Sequence, residues 1–191
     1  MPQVQLAPKG SRDECSWIER RKCLGRPASM TNENYSLIEV DWNDARATAL
    51  RDAMDVEIQP RYAGRATDPG ATAQALAVNP EDIALTVLAV GPGNRPVGHA
   101  ALRRLGSELE VKRVVVLPDA RGHGLARKLM AYLEDFATAT GARRLILQTG
   151  DRQPDAVALY QSIGYRPIPI YPPYTDAIPF SMCFEKLLGT T

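Results

Sequence analysis

The chain has 191 residues, 45% of them hydrophobic and 24% charged, with a formal net charge of +1. That length suits one domain with a full core, and the charge balance gives no electrostatic case for binding nucleic acid or an anionic membrane. No apolar run approaches the ~18 residues of a membrane-spanning helix, and Cys15, Cys23 and Cys183 are an odd, sparse set without metal spacing, so free thiols in a reducing cytoplasm are expected.

Residues 1–30 read as a low-order arm, with a short helix at most around Ser16–Lys22. Pro2, Pro8, Gly10, Ser11, Gly25 and Pro27 break any periodicity, and no apolar core of a secretory signal is present. Met30 opens a stretch that reads like a protein start, so the folded domain is assigned to residues 31–191. Ser36–Trp42 is the first expected strand. Asn43 or Asp44 then caps a helix carrying Ala49, Leu50, Ala53, Met54 and Ile58. A loop over Arg61–Gly70 leads to a short helix at Ala71–Val78. Ile83–Val90, Val97–Arg104 and Leu109–Val116 read as strands joined by "GPGNRP" and "GS". Such short turns favour an antiparallel meander.

Pro118-Asp119 turns the chain out of the last of these strands. A helix to about Thr140 follows, with Leu125, Leu129, Tyr132, Leu133 and Phe136 as its apolar stripe. Its start carries Arg121, Arg127 and Lys128, the wrong sign for a helix N-terminus, where the macrodipole favours acids. A bound anion resolves that mismatch, and the glycines of Arg121-Gly122-His123-Gly124-Leu125-Ala126 let backbone N–H groups close around a phosphate. A buried strand at Arg144–Thr149 comes next. A helix runs from Pro154 to Gly164, and strands at Tyr165–Ile170 and Phe180–Leu187 end the pattern.

Arg121…Gly124-Leu125-Ala126 resembles the Q/R-x-x-G-x-G/A signature of the GNAT superfamily of acyl-CoA-dependent N-acyltransferases, which grips the pyrophosphate of coenzyme A. "VVVLP" before it and "DRQPDAVALYQSIGY" after it stand where that superfamily has its other characteristic segments. The similarity runs from about Ser36 to Lys186 and is weakest before Ile83. Rossmann and P-loop readings fit worse, because G-x-G-x-x-G is incomplete and no Gly-Lys-Ser/Thr follows. The resemblance implies an α/β fold of the α+β type: a mixed, mostly antiparallel sheet of six to seven strands flanked by about four helices. It implies acetyl-CoA as cosubstrate, no metal, and direct transfer of acetyl in a ternary complex. The acceptor is the primary amine of a small molecule or a protein, and monomer or homodimer stays open. The alternative from another class is a non-catalytic acyl-CoA-binding sensor or interaction domain, which would release no CoA thiol on adding an acceptor. Transfer of a longer acyl chain is a third reading.

The same resemblance suggests site residues. Gly122, Gly124, Leu125 and Ala126 would offer N–H groups to phosphate, with charge from Arg121 and Arg127; the bland alternative is a tight strand–helix connection. His123 in the same loop bonds phosphate or faces solvent. A β-bulge within Val114–Val116 would splay that strand from Arg144–Thr149 and admit pantetheine, the N–H of Val114 polarising the thioester oxygen. Gln153 would bond the pantetheine chain. Tyr160, seven positions later, would protonate the leaving thiolate, although Ala156, Leu159, Tyr160 and Ile163 also form an ordinary core face. Glu110, eleven residues before Arg121, is the candidate base. The competing reading is a solvent-facing charge paired with Lys112 or Arg103. His99 is a second candidate base or a satisfied strand residue. The acceptor pocket falls to the loops Glu57–Gly64 and Tyr171–Pro179, where Glu57 or Asp176 could attract a cationic amine. No cysteine falls near the sulfur site in sequence, which disfavours an acyl-enzyme.

Overall fold

The computed structural model describes residues 35–65 and 67–189. The expected N-terminal arm, with Cys15 and Cys23, lies outside them. The chain runs β1 (Ser36–Glu39), α1 (Ala45–Ile58), α2 (Pro69–Leu76), β2 (Ile83–Gly91), β3 (Arg95–Leu105), β4 (Glu108–Val116) and α3 (Leu125–Ala139). It continues through β5 (Arg144–Gly150), α4 (Pro154–Ser162), β6 (Arg166–Ile168), α5 (Tyr174–Ala177) and β7 (Ser181–Leu187). Seven strands form one sheet in the order β1-β2-β3-β4-β5-β7-β6. Every neighbouring pair is antiparallel except β4 and β5, which run parallel. This is the mixed, mostly antiparallel sheet expected, with a short fifth helix added. No helix of the described residues is long and apolar enough to cross a membrane.

Local chemistry sets the element ends. Asp44 caps α1 by accepting from the Arg46 N–H at 2.9 Å, and Asp68 caps α2 with Pro69 behind it. Strand alternation sends Leu85, Val87, Leu102, Leu109, Val111, Leu145 and Leu147 to one face. There they meet Leu125, Leu129, Leu133 and Tyr160 of α3 and α4 in the main core. The other face carries α1 on Leu88, Val90 and Val115, and α2 with α5 around Ala75, Tyr174 and Ile178.

Three details depart from the sequence reading. Strand β1 stops at Glu39 instead of Trp42, whose indole turns to His99. Helix α1 buries Ala47 and Leu50 while Ala49 and Ala53 stay exposed. It is rotated so that Arg51 comes inward, over the Trp42 ring at 3.8 Å. The loop Tyr171–Pro179 contains α5, and its Tyr174 is fully buried.

Two ties frame the middle of the sheet. At its closed end Arg144 bridges the strands on either side, to Glu108 at 2.8 Å and Glu185 at 2.7 Å. Further along, Gly98 lies where a Cβ would stand 3.2 Å from the Ala89 Cβ, the Leu129 Cδ1 and the Val115 carbonyl oxygen. Gly98→Ala should therefore lower stability by about 1–3 kcal/mol, the usual range for overpacking, measured by urea denaturation.

Candidate active site

Parallel pairing between β4 and β5 is brief. Leu109, Glu110 and Val111 pair with Leu145, Ile146 and Leu147, and neither strand pairs with the other beyond that point. The cause is a bulge. His99 pairs with Val115 and Ala101 with Lys112, so Arg113 and Val114 together face Ala100. Arg113 has φ +56°, rare for a residue with a side chain. The extra residue thus lies at the front edge of the expected Val114–Val116 segment. Beyond it Lys112–Val116 and Gln148–Gly150 no longer pair, and the gap in the ladder between them is a wedge. After the bulge Val115 packs toward α1, while Val114 and Val116 pack toward α3.

The loop 121–124 lies beyond the end of β4. Gly122 and Gly124 have φ +82° and +72°, and a Cβ at either would meet nothing within 4 Å. No side chain caps α3, and its first turn holds no acid. The Lys128 N–H is the first to find an acceptor in the helix, Gly124 O at 3.1 Å. The N–H groups of Gly122, His123, Gly124, Leu125, Ala126 and Arg127 take no backbone acceptor among the described residues. That is a ready anion cradle. Arg121 turns back instead, donating to Val116 O at 2.9 Å and Glu57 at 2.6 Å, so it braces the loop against β4 and α1. Arg127 reaches Ser162 of α4 at 2.8 Å, and exposed His123 leans on Tyr35.

On the α3 face Gln153 stands immediately before α4, its N–H on Gly150 O at 3.2 Å. Tyr160 is buried, its ring beside Tyr165 and Phe184. Burial pushes its pKa well above the ordinary tyrosine value, so it keeps its proton.

The opposite face holds a buried polar cluster. Glu110 is fully buried, which the sequence reading of a solvent-facing charge does not anticipate. Its Oε2 accepts from Arg103 Nε at 2.5 Å. Its Oε1 accepts from the Tyr174 hydroxyl at 2.6 Å and the Tyr171 hydroxyl at 2.9 Å. Lys112 and Arg103 both donate to the Tyr174 oxygen, at 2.8 and 2.9 Å. Sheet order also brings Cys183 close to Tyr171 and Glu110. Burial above all raises that thiol's pKa, so it stays protonated and a poor nucleophile. The loop Glu57–Gly64 reaches the residue just after Tyr171–Pro179, where Tyr62 stacks on Phe180 at 5.6 Å, with the Tyr62 hydroxyl accepting from the Arg152 N–H. Glu57 is held by Arg61 and Arg121, and Asp176 is exposed. Among the described residues no three His, Cys, Asp or Glu side chains gather as a metal site requires.

His99 is fully buried, with Nδ1 2.7 Å from Arg113 O and Nε2 3.3 Å from the Arg51 guanidinium. Burial, reinforced by Arg51 and Arg113, lowers its pKa to about 4, so both geometry and basicity disfavour it as the base. Sequence reasoning missed Arg113, Arg51, Tyr62, Tyr171 and Tyr174 as individual site residues. Only the density of aromatic residues in "YPPYTDAIP" hinted at the last two.

Lys112 gives the cluster a titration signature. Its folded pKa is about 8, depressed mainly by burial and opposed by Glu110. The unfolded chain therefore holds more protons between about pH 8 and pH 10.5. Stability relative to Lys112→Met should rise through that window, by up to ~3 kcal/mol, and be lost again as pH falls through 8. Denaturant titrations of both proteins across the window measure it.

The sequence pattern of the Acetyltransferase (GNAT) family matches residues 41–165. An "IAA acetyltransferase" of Azospirillum brasilense is 38% identical over 91 residues, covering 48% of this chain and 59% of that protein. "N-alpha-acetyltransferase 80" of Mus musculus is 44% identical over 80 residues, 39% of this chain and 24% of that protein. The chain thus spans less than two thirds of the length of either relative. A solved acyl-CoA N-acyltransferase structure from Klebsiella pneumoniae superposes with a TM-score of 0.66 at 28% identity, over 81% of this chain and 98% of its own. With the family pattern covering well over half of it, this chain belongs to the acetyltransferase (GNAT) family.

Proposed function

We propose that the protein transfers an acetyl group from acetyl-CoA to a primary amine, directly, with both substrates bound. The observation that carries this reading is the wedge between β4 and β5 opening beside a helix start with free N–H groups. Backbone groups of Val114, Val115 and Val116 would take pantetheine amides as an added strand. Gly122, Gly124, Leu125 and Ala126 would hold the pyrophosphate, with Arg127 and His123 nearby and Arg121 bracing the loop. Gln153 would steady the chain between phosphate and thioester.

For the chemistry, the Val114 N–H would polarise the thioester oxygen. The amine attacks the carbonyl carbon, the C–S bond breaks, and Tyr160 gives its proton to the departing thiolate. Glu110 would take the amine's proton through a tyrosyl hydroxyl, because its own oxygens already accept from Arg103, Tyr171 and Tyr174. Tyr171, only partly buried, is the nearer of the two to the acceptor loops' surface. The acceptor would lie between the Glu57–Gly64 and Tyr171–Pro179 loops.

Two measurements test the reading. Gly124→Asp places a carboxylate in the anion cradle, on a left-handed backbone that aspartate tolerates better than most residues. CoA affinity by isothermal titration should fall at least about 30-fold, since charge-assisted hydrogen bonds are worth ~1.5–3 kcal/mol each, with little change in melting temperature. Unchanged affinity would remove the phosphate assignment. Tyr160→Phe keeps the ring in its slot and deletes only the hydroxyl. Turnover with a good amine acceptor, followed by thiol release, should drop by about 10²–10⁴-fold while acetyl-CoA affinity holds. Wild-type turnover in that variant, with chemistry rate-limiting, would leave Tyr160 as a core residue only.

A further inference from the structure

His99 is buried beside the wedge with both ring nitrogens engaged, and neither partner leaves the proton's place open. The Arg113 carbonyl only accepts, so Nδ1 carries the hydrogen. The Arg51 guanidinium only donates, so Nε2 is bare. Trp42 packs against the imidazole at 5.9 Å, with Arg51 lying over the indole at 3.8 Å. Asp55, one turn beyond Arg51 on α1, takes the Arg113 side chain at 2.5 Å. The bulge residue is thus held twice, its carbonyl by His99 of β3, which in turn meets Arg51 of α1, and its guanidinium by Asp55 of the same helix.

The hold has work to do. A residue other than glycine at φ +56° is disfavoured. A bulge can relax by slipping one residue along its partner, which restores regular pairing and reverses the side-chain faces. Here that slip would straighten β4 toward β5 and narrow the wedge. We infer that His99 is a positioning residue for acetyl transfer: by holding the Arg113 carbonyl it keeps the bulge, and with it the adjacent Val114 N–H, in the geometry that a thioester oxygen requires. This rests on the reading of the wedge as the thioester site.

His99→Asn keeps a side-chain N–H near the position of Nδ1, whereas His99→Leu removes it at similar bulk. In the full chain, His99→Leu should lower turnover at least about 10-fold, part of the 10²–10³ that loss of an oxyanion donor costs. Its affinity for 3′-phospho-ADP, the part of CoA that carries the phosphates without pantetheine, should stay within about 3-fold, because the phosphate loop is untouched, and His99→Asn should recover most of the lost turnover. A core residue without a positioning role predicts equal turnover for the folded fractions of all three proteins, and that result overturns the inference. So does an equal loss in both variants. A proton–nitrogen spectrum of the wild-type imidazole needs no variant and should show the Nδ1–H form; the Nε2–H form overturns the inference even if His99→Leu fails to fold. If the wild type binds CoA yet transfers acetyl to no amine, the proposed activity fails. His99 is then judged by that spectrum and by the Val114 amide signal, which should shift in His99→Leu and return in His99→Asn.

Discussion

Everything in the candidate site follows from one mismatch in strand pairing. Two residues of β4 face one residue of β3, and the strand cannot then stay beside β5. Backbone N–H and C=O groups inside a sheet are costly to leave without partners. A sheet whose β4–β5 pairing stops in its middle leaves strand edges of the kind that an added strand can pair with. The loop 121–124 adds a second set of unfilled donors at the wide end. The polar groups along the gap belong to the main chain, so the valines that line it look like plain core.

The two faces of the wedge divide the chemistry. On the α3–α4 side the surroundings are apolar, and a tyrosine there holds its proton. On the other side Arg103, Glu110, Lys112, Tyr171 and Tyr174 form a closed network in which each polar atom depends on the others. Such networks are stiff when complete and expensive when broken. This one fastens the loop of α5 to the centre of the sheet. That loop is thereby anchored to the same strand that forms the edge of the wedge.

Much of this was legible in the sequence, for identifiable reasons. "VVVLP" and "RGHGLA" combine a strand period, a turn and a helix start of the wrong charge, and each of those signals is local. Tyr160 and Gln153 were named from the resemblance carried by "DRQPDAVALYQSIGY", since helical spacing alone reads Tyr160 as core. What stayed hidden depends on contacts distant in sequence. No local feature of Arg113 announces a left-handed backbone, because the conformation is held by His99 and by α1. The helical stripe of α1 was drawn through alanines, yet the helix turns Arg51 inward, since Trp42 and His99 offer it partners that solvent-side alanines cannot use. The competing reading of Glu110 named its partner Arg103 but put the pair in solvent; α5 covers it, and a four-residue helix in a proline-rich loop leaves almost no periodicity to read. Cys183 became a neighbour of Glu110 only because β7 inserts between β5 and β6.

The Arg144 clamp has a mechanical meaning. It binds β5 to both flanking strands at the end where they are still paired. A change of opening that keeps this pairing is a rotation about that end, with β3 carried along through its pairing with Val115 and Val116. The five residues from Lys112 to Val116 form a lever of about 17 Å at ~3.4 Å per residue. A tilt of a few degrees that barely disturbs Val111 moves the tip at Val116 by about an ångström. The mouth, where the phosphate loop begins, is the part of the sheet whose width can adjust most easily while the pairing at the base stays intact.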